Sequence, residues 1–154
     1  MIKQMKPNSF KFLLNIYPPY WGTGIIVKKI SSNYREIIVQ MKRKWYNGNY
    51  VKTHFGGSLY SMTDPFFMLM MMHILGREYI VWDKSASIDF VKPGYGTVTA
   101  KFLITDEHIK TILENTANGQ KYFQELEVQV KNEKDELVAL VKKVLYIRKK
   151  ASKK

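Results

Sequence analysis

The sequence predicts an α+β domain in which a curved antiparallel sheet of about six strands wraps one long central helix. Three observations carry this. The run Phe66–Leu75 is apolar nearly all round, as a helix enclosed by other elements must be. Two runs rich in β-branched residues precede it, and four strand-like runs follow it. One helix cannot cover a sheet of that width unless the sheet curls around it. The edges of such a sheet remain to be paired, and dimerisation is the usual way to pair them.

Each element has a local cause. Phe10, Leu13, Leu14 and Tyr17 recur at helical spacing, predicting a short amphipathic helix over about 8–17, with Asn8 or Ser9 as cap and Pro18-Pro19 as stop. Gly22–Ile30 and Tyr34–Met41 read as strands joined by the turn residues Ser31-Ser32-Asn33. Asn47-Gly48-Asn49 marks a loop. The central helix either starts near Gly57, runs to about Leu75 and stops at Gly76, or starts at Asp64 as N-cap with Pro65 in the first turn. In the first case Pro65 bends the helix and frees the Ser61 carbonyl.

Beyond Gly76 the period changes to two. Tyr79–Lys92 alternates, with Ile88 and Phe90 on one face, and Pro93-Gly94 turns the chain. Gly96–Thr105 is the next strand, with Val98, Ala100, Phe102 and Ile104 on one side. Asp106–Ala117 is a short helix or a wide loop. Lys121–Lys131 and Glu136–Arg148 form a final hairpin. The 154 residues make one domain over 1–154, and the basic stretch 149–154 is expected to fray.

Composition narrows the function. A hydrophobic content of 45% argues against disorder. The absence of cysteine excludes disulfides, zinc-thiolate sites and thiol nucleophiles, and it fits a reducing cytoplasm, the expected location. Lys3, Lys6 and Lys11 interrupt any apolar leader, and the longest apolar block is far short of the ~20 residues a bilayer span needs. Lys plus Arg exceed Asp plus Glu by 25 to 13, a formal charge of +12. That excess serves solubility, or it meets a nucleic acid, an anionic membrane surface or a polyanionic ligand such as coenzyme A.

Residues 53–65 hold the chemistry: Thr53-His54-Phe55-Gly56-Gly57-Ser58-Leu59-Tyr60-Ser61-Met62-Thr63-Asp64-Pro65. Two glycines permit close approach of a ligand or of other backbone, and a helix N-terminus presents free N–H groups. One carboxylate follows on an otherwise apolar stretch, where it is costly unless used or paired. The pattern outlines an oxyanion-binding end and a general base.

These residues resemble the hotdog-fold acyl-CoA thioesterases, closest to the phenylacetate-pathway (PaaI-like) branch or an uncharacterised relative of it. The family motif runs Asn, six residues, His-Gly-Gly, then an acid nine residues after the His. Here Asn49 stands six before Phe55, Gly56-Gly57 follow, and Asp64 falls nine after Phe55. The strand Ser87-Ile88-Asp89-Phe90-Val91-Lys92-Pro93, with Gly96 beyond, also looks like the family's strand after the helix. Two departures stand out: Phe55 replaces the motif His, and Asp83 occupies the place of a family Ser or Thr that orients water, with Ser85 two residues on and expected on the same face.

The resemblance implies roles. The N–H of Gly56, helped by Gly57, binds the developing oxyanion. Asp64 acts as general base on water or as nucleophile, with its pKa raised at a partly dry dimer seam. Asn49 hydrogen-bonds the water or carbonyl, and Ser85 orients water. His54, Phe55, Asp83 and Met68 are expected at the substrate. The plainer readings are helix–sheet packing for the glycines, a cap or structural acceptor for Asp64, a turn for Asn49, and core filling for Met68, Met70, Met71 and Met72. His73 reads as a satisfied core histidine, and His108 lacks partners at metal spacing, so no metal site is expected. Lys52, Lys92 and Lys101 are candidates for coenzyme A phosphates.

The leading expectation is therefore an acyl-CoA or acyl-carrier-protein thioesterase, working as a homodimer or dimer of dimers on a small-molecule acyl thioester. It needs no cofactor beyond the coenzyme A of its substrate. The alternatives are a non-catalytic hotdog protein that binds an acyl thioester or lipid and, resting on charge alone, a basic nucleic-acid-binding protein without a recognisable RNA-binding motif.

Overall fold

The computed structural model describes residues 5–151. Its elements are α1 (Pro7–Asn15), α2 (Pro18–Trp21), β1 (Ile25–Ile30), β2 (Glu36–Lys42), α3 (Gly56–Ser61), α4 (Phe66–Leu75), β3 (Tyr79–Phe90), β4 (Thr97–Leu103), α5 (Asp106–Thr116), β5 (Lys121–Asn132) and β6 (Leu137–Lys149). The strands form one antiparallel sheet in the order β1-β2-β4-β5-β6-β3. The sheet curves around the central helix, and the fold is the α+β hotdog expected from the element order.

Alternation on each strand decides the buried face. Ile37, Val39 and Met41 of β2, Val98, Ala100 and Phe102 of β4, and Val141, Leu145 and Ile147 of β6 are all withdrawn from solvent. Against them pack Phe66, Phe67, Met70 and Met71 of α4, with ring centroids of Phe66 and Phe67 5.0 and 5.1 Å from that of Phe102. Burying a side chain of this size contributes roughly 1.5–3 kcal/mol, so this layer dominates cohesion. The methionines Met70 and Met71 are core residues, as their plainer reading had it.

The central helix follows the first alternative, running from Gly56 to Leu75 with a bend at Pro65 that divides it into two pieces. α3 ends at Ser61, with Met62 as its C-cap, and α4 begins after Pro65. Proline has no N–H to give the Ser61 carbonyl, which accepts the Asp64 N–H at 3.4 Å instead. Asp64 therefore lies in the break and caps neither helix through its side chain.

Smaller corrections have local causes. Lys6, not Asn8 or Ser9, holds the N-cap position of α1, because Pro7 supplies the preset first helical residue. Pro18 and Pro19 do more than stop α1, for they open α2 in the same way. Asp106–Thr116 is a helix, secured by a reciprocal cap between Thr105 and His108. At the C-terminus β6 runs to Lys149, and Lys150 bonds the carbonyls of Glu78 and Arg77, so the tail is ordered further than expected. Residues 1–4 and 152–154, which include the rest of that tail, lie outside the described residues.

β3 positions the site. It is twelve residues long and, among the described residues, pairs only with β6, which leaves its outer edge open along the sheet margin. Asp83 stands opposite Leu145, but a bulge makes Ser85 the partner of Val144. Directly opposed residues share a face, so the inserted residue Lys84 reverses the alternation. Ser85 is thus on the opposite face from Asp83, against expectation, and Ala86 takes the inward place opposite Lys143.

Candidate active site

The site is built around a lysine on the core face of β6. Ala139, Val141, Lys143, Leu145 and Ile147 alternate inward, and Lys143 is 1% exposed. A buried ammonium is tolerated only when it is paired. Its Nζ donates to Asp64 Oδ1 at 2.9 Å and lies 3.0 Å from Asp83 Oδ1. The ring of Tyr60 lies beneath the ammonium, 5.8 Å from Nζ to centroid. One cation from β6 thus ties the helix break to the edge strand β3.

The two carboxylates differ. The side chain of Asp64 is half-exposed, while that of Asp83 keeps 27% of its exposure. Burial raises the Asp83 pKa, the Lys143 contact opposes that rise, and the like charge of Asp64 adds to it. Burial alone would lower the Lys143 pKa, but the bond to Asp64 and the contact with Asp83 outweigh it and hold the ammonium above the ordinary lysine value. Asp64 is the more solvent-accessible carboxylate of the two.

The glycines sit at the start of α3, where the first N–H groups have no carbonyl within the helix to bond. Both are covered by aromatic rings. A Cβ at Gly56 would meet Phe90 Cζ at 2.9 Å, and one at Gly57 would meet Phe55 Cε1 at 2.5 Å. Phe55 and Phe90 are themselves largely exposed, so these covers lie at the surface.

Other expected site residues have local partners. Asn49 is committed to its own loop: Oδ1 accepts from the Thr53 N–H at 2.9 Å, and Nδ2 donates to Thr53 Oγ1 at 2.8 Å. That is its turn role. His54 is buried rather than at a ligand rim. Its N–H donates to the Gly94 carbonyl at 2.9 Å, and its Nε2 contacts the Gly96 carbonyl at 3.0 Å. Burial lowers its pKa, the Gly96 carbonyl opposes this, and Arg43 adds to it. Met68 packs partly against the core. His73 is stacked on Tyr34 at 4.0 Å, with Nδ1 2.8 Å from the Leu69 carbonyl, a core histidine as expected. Lys92 pairs with Glu136 at 3.0 Å and Lys101 with Glu36 at 2.9 Å, which leaves those cations engaged at the surface.

Sequence reasoning missed Lys143 and Tyr60. A signal for Lys143 was present, since it occupies an inward position in the period-two pattern of β6. Tyr60 stands four residues before Asp64 in the chain, and the Asp64 carboxylate acts on its hydroxyl.

Comparison with known proteins supplies the family. A profile described as a domain of unknown function, DUF4442, matches residues 8–147. The chain belongs to that family. No functionally curated protein matches this DUF4442 chain. Its fold resembles that of a Pseudomonas aeruginosa protein of unknown function described as a probable thioesterase, at 16% identity and TM-score 0.80, covering 94% of this chain and 97% of that one. It also resembles a Haemophilus influenzae thioesterase, at 15% identity, TM-score 0.70 and coverage of 96% and 93%. A third likeness is to Escherichia coli PaaI of the phenylacetic acid degradation operon, at 16% identity, TM-score 0.60 and coverage of 94% and 93%. These likenesses establish the hotdog fold for the DUF4442 chain.

Proposed function

We propose that this protein hydrolyses an acyl thioester, carried by coenzyme A or an acyl carrier protein, and that it does so as a homodimer. The observation that carries the reading is the placement of Asp64. It is a half-exposed carboxylate in a break of the central helix, held at 2.9 Å by a lysine that is itself buried. A solvated lysine would hold it loosely. A buried one fixes its direction.

The chemistry follows from that group. Asp64 accepts a proton from water as the water oxygen attacks the thioester carbonyl, or it attacks the carbonyl itself and the resulting anhydride is then hydrolysed. Negative charge gathers on the carbonyl oxygen, and the Gly56 N–H of the second protomer donates to it. One such donor is worth about 2.7–4 kcal/mol in the transition state. Collapse breaks the carbon–sulfur bond and releases the thiol and the carboxylic acid. The dimer forms along the open edge of β3, beside Asp83, because a twelve-residue unpaired strand edge is a template for another strand.

The fold neighbours named as thioesterases support the reaction class. A panel of acyl-CoA substrates tests the reading: at least one is hydrolysed, and Asp64→Ala loses turnover while staying folded. Equal turnover by the variant sinks the role of Asp64. A second reading, thioester binding without hydrolysis, draws on Phe55 in the motif position and on the neutralising cation at Asp64. No turnover across the panel with saturable acyl-CoA binding would establish that reading instead.

A further inference from the structure

Beside Asp64 lies a groove of about 550 Å³ with almost no polar character. Leu13 and Leu14 at the end of α1, with Ile16 just after it, form one side, and Pro65 just before α4 and Leu69 within it form the other, with Tyr17 and Tyr20 between. The volume falls in the range of small-molecule sites, about 300–1,000 Å³. The wall is anchored, because both polar atoms of the Asn15 side chain bond the Val27 backbone, at 3.0 and 2.7 Å. Pro65 follows Asp64 in the chain, and the charge of Asp64 acts on Tyr20 in the groove wall.

A second observation points to a ligand. Tyr20 is 4% exposed, and its hydroxyl has no hydrogen-bond partner among the described residues. Its ring packs between Tyr17, edge-on at 5.4 Å, and Phe66, stacked at 6.3 Å. A buried hydroxyl left unsatisfied is costly, an arrangement that persists when a bound molecule completes the bond. Burial raises the phenol's pKa, and the charges of Asp64 and Tyr17 raise it further, so it stays a neutral donor.

We infer that this groove seats the acyl group of the substrate: an apolar chain of medium length or an aryl-acyl group, with the Tyr20 hydroxyl donating to an oxygen that the acyl group carries. The inference rests on the thioesterase reading for its substrate and deepens it. An acetyl group would leave most of the apolar wall wet, whereas each methylene laid in the groove adds about fourfold in affinity. Leu69, one residue beyond Met68, lines the groove.

The test separates the two claims by using ligands that cannot be hydrolysed. In 2-oxoalkyl coenzyme A thioethers a methylene parts sulfur from carbonyl, and calorimetry reads their binding from the shortest chain to decyl. Affinity rises with chain length in the wild type, and Leu13→Asp flattens the rise. Leu13 is 48% exposed, so the variant folds, as circular dichroism would verify. Tyr20→Phe weakens the ketone ligands about fivefold and leaves plain S-alkyl thioethers, which lack the oxygen, unchanged. Binding that is flat with chain length, or unchanged by both variants, overturns the groove even if hydrolysis is robust. Groove-dependent binding without hydrolysis upholds it while the enzymatic reading falls. If Leu13→Asp instead dissociates the assembly in sedimentation and leaves chain-length dependence intact, the groove seats a second copy of the chain, and the inference is wrong.

Discussion

Lys143 Nζ lies 2.9 Å from Asp64 Oδ1 and 3.0 Å from Asp83 Oδ1, on a side chain only 1% exposed. The cation is buried and its counterions are not fully so. Removing charge from the two sides of this contact therefore has unequal effects.

Replacing both Asp64 and Asp83 by Ala leaves the ammonium buried without a counterion, which costs about 3–5 kcal/mol. Either single replacement costs much less, because the other carboxylate remains. The double-mutant cycle in urea is thus strongly non-additive. Lys143→Met removes the charge and keeps the volume, and its carboxylate partners retain contact with water. It is expected to cost less than about 2 kcal/mol in stability and to lower kcat at least tenfold, since Asp64 loses its anchor. Full kcat in that variant would show that Asp64 is not aimed by Lys143.

Gly56→Ala separates packing from chemistry. The added Cβ meets the far end of the exposed Phe90 ring, at 2.9 Å, and the ring can swing aside. Alanine also favours helix by up to about 1 kcal/mol over glycine. Thermal stability should change little, while turnover falls because the displaced ring and the new methyl crowd the N–H. A large loss of stability would assign the glycine to packing instead.

Subunit mixing tests whether the site is shared. Asp64→Ala and Gly56→Val protomers are each inactive as homodimers. Refolded together, half of the dimers are mixed and each restores one site, giving about a quarter of wild-type activity. No recovery, in a sample that sedimentation shows to contain mixed dimers, places both groups in one subunit.

His54 makes the fold sensitive to mild acid. Its folded pKa is below the ordinary histidine value of about 6.5, chiefly through burial. The unfolded chain therefore binds the proton first. The stability that neutral His54 contributes is complete above about 6.5 and is lost as pH falls toward the lower folded value. Thermal melts across that window should show a falling Tm, and His54→Gln should flatten the slope. An unchanged slope would place the acid sensitivity elsewhere.

Much of the architecture was legible because period and sequence order are local properties. The alternation of Val98, Ala100 and Phe102, and the all-round apolar Phe66–Leu75, each announce an element and its buried face. The hotdog resemblance then located Asp64 and Gly56 through spacing alone. Ser85 was misplaced because a bulge at Lys84 inserts a residue without altering any local signal that periodicity reads. The hydrogen bonds of Asn49 to Thr53 and of His54 to the Gly96 carbonyl were not legible in the sequence, because they depend on loop geometry.

The amino-acid sequence by itself determined the strands, the central apolar helix and the presence of a lone acid after paired glycines, since those depend on neighbours a few residues apart. Only the tertiary structure decided what that acid is bonded to. Asp64 and Lys143 are 79 residues apart in the chain, and their meeting depends on how β6 lies under the helix break. The same holds for the groove between Leu13 and Leu69: a surface made by two distant segments leaves no periodic trace in either one.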